Sequence, residues 1–223
     1  MKIIFWNIYN GFQGGPEEGL YKGNLRESMV ADFLEEEAAD AVALLELQGF
    51  NPAKLNTLAE KWTHRHHLLL KGEFPMAFTS RFPLRKPSWN TQNMRHGFIS
   101  IDLQYVKFIL CHIPPRKYTD RSKELRQLLA QLLPILEQEQ PFILLGDLNG
   151  SPQDDFVAAL RAIGLVDPIR RDIPRTDYVF VHPCIADRVS VRLLQEDNLK
   201  KLSDHFPIVV NIDMSEKKDT DQL

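Results

Sequence analysis

Apolar runs in this sequence repeatedly give way to a side chain suited to a metal ion or a phosphate. Asn7 follows IIFW, Glu46 follows AVALL, His112 follows FILC and Asp147 closes FILLG, while Asp204 and His205 stand just before FPIVVNI. Carboxylate and amide oxygens are ligands for hard cations such as Mg²⁺ or Mn²⁺, and the chain lacks the cysteine sets of a soft-metal site. Gly146-Asp147-Leu148-Asn149-Gly150 is the densest of these segments. Its glycines let backbone approach a ligand, and Asp147 and Asn149 share a face of an extended stretch. Each signal also has a plain structural reading. Asn7 can satisfy backbone groups, Glu46 can cap a helix or pair with a base, and GDLNG can be an Asx turn. His112 can be a strand-edge histidine, Thr176-Asp177-Tyr178 a turn with a packed tyrosine, and Ser203-Asp204-His205 a strand cap. Trp6, Trp62 and Tyr178 read as core or core-edge residues. His64, His66 and His67 have no acid or cysteine ligand beside them and read as solvated. No GxGxxG or Walker sequence supports nucleotide binding by those modes.

Such groups act together only if rigid elements deliver them to one place. Residues 2–9 read as a buried strand followed by a glycine-rich loop to Asn24. Residues 25–37 read as a helix with Leu25, Met29, Phe33 and Leu34 inward and Arg26 among the acids opposite. Residues 40–45 form a short apolar strand, and Asn51-Pro52 opens a helix to Glu60. Residues 66–70 and 76–80 read as strands, 83–96 as a long polar loop carrying Trp89, and 98–103 with 105–112 as a hairpin. A helix over 120–138 has Leu125, Leu128, Leu129, Leu132 and Ile135 on one side. A strand at 142–145, a helix started by Ser151-Pro152 and ended by Gly164, and strands at 178–181, 187–193 and 206–212 complete the order. So many adjacent strands suit two mixed sheets packed face to face with helices outside, an α/β four-layer sandwich.

The chain has 223 residues, 43% hydrophobic and 26% charged, which excludes a disordered chain and leaves no apolar run long enough for a membrane helix. One domain is expected over 1–213, with a frayed charged tail over 214–223. The opening MKIIFWNIYNGF lacks the apolar centre of a signal peptide, so the expected location is cytoplasmic, as a monomer. Cys111 and Cys184 read as reduced thiols in or beside strands. The net charge of −3 is uneven: residues 81–126 carry ten Lys or Arg against Asp102, Asp120 and Glu124, a balance of +7, leaving −10 elsewhere. That asymmetry points to an anionic substrate at one face. Two basic loops are expected near the site, one with Arg85, Lys86, Trp89 and Arg95, the other with Arg116, Lys117, Tyr118 and Arg121. Bases interleaved with aromatics suit a sugar-phosphate backbone.

In order, IIFWNI, ADAVALLELQ, ILCHIP, ILLGDLNGSP, RTDYVFV and LSDHFPIVV resemble the endonuclease/exonuclease/phosphatase superfamily of DNase I-like fold, across about residues 2–212. The resemblance implies a four-layer α/β domain that hydrolyses phosphate esters with Mg²⁺ or Mn²⁺. It implies Glu46, with Asn7 and Asp204, at the metal. It implies Asp147 positioning the nucleophile, Asn149 and His112 on the phosphate, and His205 as the terminal histidine oriented by Asp177. Departures stand at Leu45, where many members have Gln, at Tyr9, and at His112-Ile113-Pro114-Pro115, and they argue against a close apurinic endonuclease. The expected substrate is nucleic acid, DNA ahead of RNA. A small phosphate ester is the enzymatic alternative, and non-catalytic nucleic-acid binding on the same fold is the remote one.

Overall fold

In strand β1 (Lys2–Asn7), Ile3 and Phe5 face one way and Ile4 and Trp6 the other, and all four are buried. A strand apolar on both faces needs a layer on each side, and period-two alternation assigns its side chains between them. The computed structural model describes residues 1–61, 63–170 and 172–215. The remaining elements are α1 (Gly23–Glu37), β2 (Ala41–Leu45), α2 (Pro52–Lys61), β3 (His66–Leu70), β4 (Met76–Ser80), β5 (Arg85–Asn90), β6 (Phe98–Leu103), β7 (Val106–His112), α3 (Arg121–Glu137), β8 (Phe142–Asp147), α4 (Asp155–Ala162), β9 (Asp177–Val181), β10 (Val189–Leu193) and β11 (Ile208–Ile212). One sheet runs β10-β11-β1-β2-β4-β3 and the other β5-β6-β7-β8-β9. Both are mixed, with β1 parallel to β2 and β7 parallel to β8.

Three apolar clusters fill the spaces between layers. Ile3, Phe5, Ala43, Phe78, Phe108, Leu110, Leu145 and Val179 lie between the sheets. Ile4, Trp6, Val42 and Leu44 pack against Val30 and Leu34 of α1 and Leu55 and Leu58 of α2. Ile109, Cys111, Phe142, Leu144 and Phe180 pack against Leu128 and Leu132 of α3 and Phe156 and Leu160 of α4. Each such side chain stabilises the fold by roughly 1.5–3 kcal/mol on burial. The expected four-layer sandwich is therefore the architecture found.

Several local expectations change. Residues 85–90 are an exposed edge strand, not loop, because a strand with no buried face carries no apolar alternation. Helix α1 is rotated from the expected face: Arg26, Val30, Ala31 and Leu34 are buried and Leu25 is exposed. The cap of α4 is Asp154, whose side chain accepts from Phe156 N, not Ser151. A 3₁₀ segment, Pro183–Arg188, takes the first part of the strand expected at 187–193. His64 is buried, its Nδ1 2.8 Å from Thr79 Oγ1 and its Nε2 2.9 Å from Ala39 O, so it is not solvated. Cys111 is buried and Cys184 exposed, the latter with its Sγ 3.8 Å from Glu139 O. Trp62 and the tail from 216 lie outside the described residues. Among the described residues no helix is long and apolar enough to cross a membrane.

Candidate active site

At one end of the sandwich the series that fills the inter-sheet space runs on into polar residues. Ile3 and Phe5 lead to Asn7; Phe108 and Leu110 lead to His112; Ile143 and Leu145 lead to Asp147; Val181 and Val179 lead back to Asp177. His112, Asp147 and Asp177 stand opposite one another in a row across β7, β8 and β9. Asn7 ends β1 and Glu46 follows β2 directly, while Asp204 and His205 precede β11, which is antiparallel to β1 and so starts at the same end. The strand directions bring six distant stretches of chain to one mouth.

Asn7 bridges the two sheets. Its Nδ2 donates to Glu46 Oε1 at 3.0 Å and to Asp147 Oδ2 at 3.2 Å, and its Oδ1 accepts from Tyr9 N at 3.1 Å. His112 Nε2 lies 3.6 Å from Asp147 Oδ2 and 3.9 Å from Glu46 Oε1. Asp147 Oδ1 accepts from Asn149 N at 2.9 Å, while Asn149 Nδ2 donates to Ile113 O at 3.0 Å and lies 3.3 Å from His112 Nε2. His205 Nδ1 is 2.5 Å from Asp177 Oδ2, so the carboxylate holds the proton on Nδ1 and turns Nε2 towards Asp147 Oδ2, 3.9 Å away. Trp6 Nε1 donates to His205 O at 2.9 Å, and Ser203 Oγ accepts from His205 N and donates to Asn7 O at 2.7 Å. The core indole and the Ser203 hydroxyl thus tie the β11 end to the β1 end.

Negative charge is in excess here. Burial, then the neighbouring Asp177, push the Asp147 carboxyl well above the usual carboxylate range. Burial would lower the His205 imidazole, but Asp177, Asp147 and Asp204 overcome it and raise it to about 10. His112, buried and near His96 and His205, is driven well below the ordinary histidine value and is neutral. Among the described residues no Lys or Arg pairs with Glu46 or Asp147. Glu46, His112 and Asp147 offer atoms all within 4.8 Å of one another, as do Asp147, Asp177 and His205. A buried carboxylate with no Lys or Arg among the described residues to pair it, beside a second carboxylate and an amide, is a donor set that fits Mg²⁺ or Mn²⁺. The second cluster is already internally paired through the His205–Asp177 contact.

Other expected residues are placed differently. Asp204 is half exposed with Oδ1 3.8 Å from His205 Nε2, and it belongs to neither cluster. Arg95 is held by Glu73 at 2.9 and 3.0 Å and lies over the ring of Tyr118, whose other neighbour is the Lys117 ammonium at 4.6 Å. Arg116 is exposed and pairs with Asp154 at 3.0 Å. Trp89 is exposed on edge strand β5, three strands from Asp147. Arg85 and Lys86 are not near the site, because Arg85 stands opposite Asp102 and Lys86 pairs with it, at the other end of the sheet.

Three supporting groups stand beside the site: Arg121, expected near it on a basic loop, braces it from within, and the other two escape a reading by motif. Arg121 Nη1 donates to Asn149 O at 2.8 Å and its Nη2 to Asp154, bracing the GDLNG turn. His96, buried with neither ring nitrogen bonded among the described residues, packs at a tilt between Phe74 and His112 at centroid distances of 4.3 and 4.5 Å. Tyr9, Asn10, Gly11 and Phe12 all have φ between 51° and 68°, and Glu46 and Asn149 have φ of 58° and 46°. Left-handed backbone at non-glycine residues is strained, and five such residues stand at the mouth. Only Gly11 among these must be glycine for space, since a Cβ there would lie 1.8 Å from Gln48 O. Gly11→Ala is expected to lower stability by about 3 kcal/mol or more. Urea titration reads this as a lower midpoint at unchanged slope; an unaltered midpoint would contradict the close approach.

Residues 4–205 match the profile of the endonuclease/exonuclease/phosphatase family. No curated protein matches the sequence. Among solved structures the chain is similar to a 3′ phosphatase from Neisseria bound to a product DNA hairpin, with TM-score 0.70 and 20% identity over 96% of this chain and 99% of that one. It is similar to an AP endonuclease from Archaeoglobus fulgidus, with TM-score 0.72 and 17% identity over 96% and 99%. It is also similar to the human Nocturnin catalytic domain with bound sulfate, with TM-score 0.75 and 15% identity over 96% and 93%. At these identities the likeness is one of fold.

Proposed function

We propose that this chain, which belongs to the endonuclease/exonuclease/phosphatase family, is a metal-dependent nuclease that hydrolyses phosphodiester bonds of DNA. The observation that carries the reading is the contact of Asn7 with both Glu46 and Asp147, beside a His205–Asp177 pair. The similar Neisseria structure holds a DNA product and the Archaeoglobus protein is named as an AP endonuclease, which favours nucleic acid over other esters.

Glu46, Asn7 and Asp147 would hold Mg²⁺ or Mn²⁺, and Asp204 adds negative charge at the same mouth. The bound ion supplies neutralisation of charge developing on the phosphate oxygens. Asp147 accepts a hydrogen bond from the attacking water and takes its proton as the new P–O bond forms and the bond to the leaving oxygen breaks. His205, kept protonated by Asp177, donates from Nε2 to a phosphoryl oxygen; His112 and Asn149 donate to the others. Asp177 and Arg121 hold these groups in place. Arg116, Lys117, Arg95 and Tyr118 would line the path of the flanking backbone, with Trp89 at its far edge.

Two predictions test the substrate. Neutralising Arg116 and Lys117 together (Arg116→Gln, Lys117→Gln) should weaken DNA binding and flatten the slope of log affinity against log salt by about 1.8, at about 0.9 per lost phosphate contact. A slope equal to that of the unaltered protein would remove these residues from the interface. Comparing kcat/KM on a DNA oligonucleotide with that on small phosphate esters should favour the oligonucleotide, and activity confined to small esters would overturn the nuclease reading.

A further inference from the structure

A guanidinium lies buried beside the site with little to hold it. Arg26, near the start of α1, is wholly buried. Among the described residues its Nε and Nη1 have no hydrogen-bond partner, and Nη2 donates to Tyr9 O at 2.9 Å. Its guanidinium carbon lies 5.5 Å from the centre of the Phe12 ring and 5.9 Å from that of Tyr9. Burial lowers its pKa, and Asp204 is the main charge opposing that shift, but no carboxylate contacts it among the described residues. Burying an ion without a paired counter-charge carries a penalty of several kcal/mol. A methionine would fill such a place at no such penalty, so the guanidinium must do something an apolar side chain cannot.

What it touches is the strained segment. Tyr9 through Phe12 are four successive left-handed residues, three of them not glycine. Each such residue costs on the order of 1 kcal/mol or more, and the conformation persists only where its surroundings over-determine it. The segment in turn carries the metal-site groups: Tyr9 N donates to Asn7 Oδ1 at 3.1 Å, Asn10 N to Glu46 Oε2 at 3.2 Å and Gly11 N to Glu46 O at 2.6 Å. Arg26 supplies the Tyr9 carbonyl with a charged donor, and its guanidinium carbon lies over the two rings that flank the turn.

We infer that Arg26 is a positioning residue for divalent-ion binding: its guanidinium clamps residues 9–12 and, through their amides, sets the Asn7 amide and the Glu46 carboxylate. The inference rests on the reading that Asn7 and Glu46 hold the ion. A lysine keeps the charge but not the planar fork, so Arg26→Lys should retain only part of the effect.

The test is direct binding of Mn²⁺, without substrate, read from the electron paramagnetic resonance of the free ion, for the unaltered protein, Arg26→Met and Arg26→Lys. Residues that orient metal ligands change affinity by about 10–100-fold, so Arg26→Met should weaken Mn²⁺ by about tenfold or more and Arg26→Lys by a smaller factor. The half-saturating Mg²⁺ for DNA cleavage should rise in parallel, with kcat at saturating metal and KM for DNA within about threefold of the unaltered protein. A merely structural arginine would lower thermal stability and leave the metal affinity of the folded fraction alone. Folded Arg26→Met that binds Mn²⁺ within about twofold of the unaltered protein overturns the inference. If Arg26→Met does not fold, Arg26→Lys decides on the same criterion. Unaltered protein that binds no Mn²⁺ overturns the metal-site reading itself, and this inference with it.

Discussion

Replacing His205 with alanine is expected to lower turnover on DNA by about 10²–10⁴-fold, the range for removal of a charge-stabilising or proton-transferring group. The side chain is built for one task. Asp177 fixes its Nδ1 proton at 2.5 Å, while Ser203 and Trp6 hold its backbone from two sides. Three carboxylates favour its charged form against its own burial. Removal of the imidazole therefore removes a preorganised positive charge from the position facing Asp147. Asp177→Asn should show a loss of the same kind, because the amide no longer stabilises the imidazolium. Since the two act as one unit, the double variant should lose little more than the worse single variant. Single-turnover kinetics at saturating metal reads all three, and full additivity would separate the pair.

Asp147→Asn should reduce kcat by about 10³-fold, by removing the group that takes the proton of water and by weakening the ion's hold. Its effect on folding should go the other way. Asp147 is buried, faces Asp177 and Glu46, and has no Lys or Arg partner among the described residues, so its charge opposes the metal-free fold. An amide of the same shape keeps the bond from Asn149 N and sheds the repulsion from Asp177 and Glu46, which outweighs the lost bond from Asn7 Nδ2. In EDTA the melting temperature of Asp147→Asn should equal or exceed that of the unaltered protein, while the stabilisation by added Mg²⁺ should shrink. Scanning calorimetry with and without the ion checks both. A variant that melts lower in EDTA would make Asp147 a structural residue first.

How much of this was readable in the sequence depends on what each residue answers to. Asn7, His112 and Asp147 end continuous apolar runs, so their strands were legible, whereas the face they share with Asp177 was not, because strands buried on both faces carry no alternation. The face-to-face packing of the sheets with these strand ends at one mouth depends on strand directions that no local pattern states. Helix α1 was turned wrongly because Arg26 reads as surface wherever Tyr9 O and two ring faces are not known to await it. The edge strand β5 was invisible since RKPSWN buries neither face. His64 looked solvated because its partners, Thr79 and the Ala39 carbonyl, come from elements 15 and 25 residues away. Charge along the chain also misled: Arg85 and Lys86 sit close in sequence to Arg95, yet antiparallel pairing with β6 carries them to the far end of the sheet.

The most direct test is a time course of end-labelled single- and double-stranded DNA oligonucleotides with Mg²⁺, run beside EDTA and His205→Ala controls. The account predicts cleavage with Mg²⁺ that both controls abolish. Cleavage that survives EDTA or His205→Ala, or none at all from folded, metal-loaded protein, would contradict it.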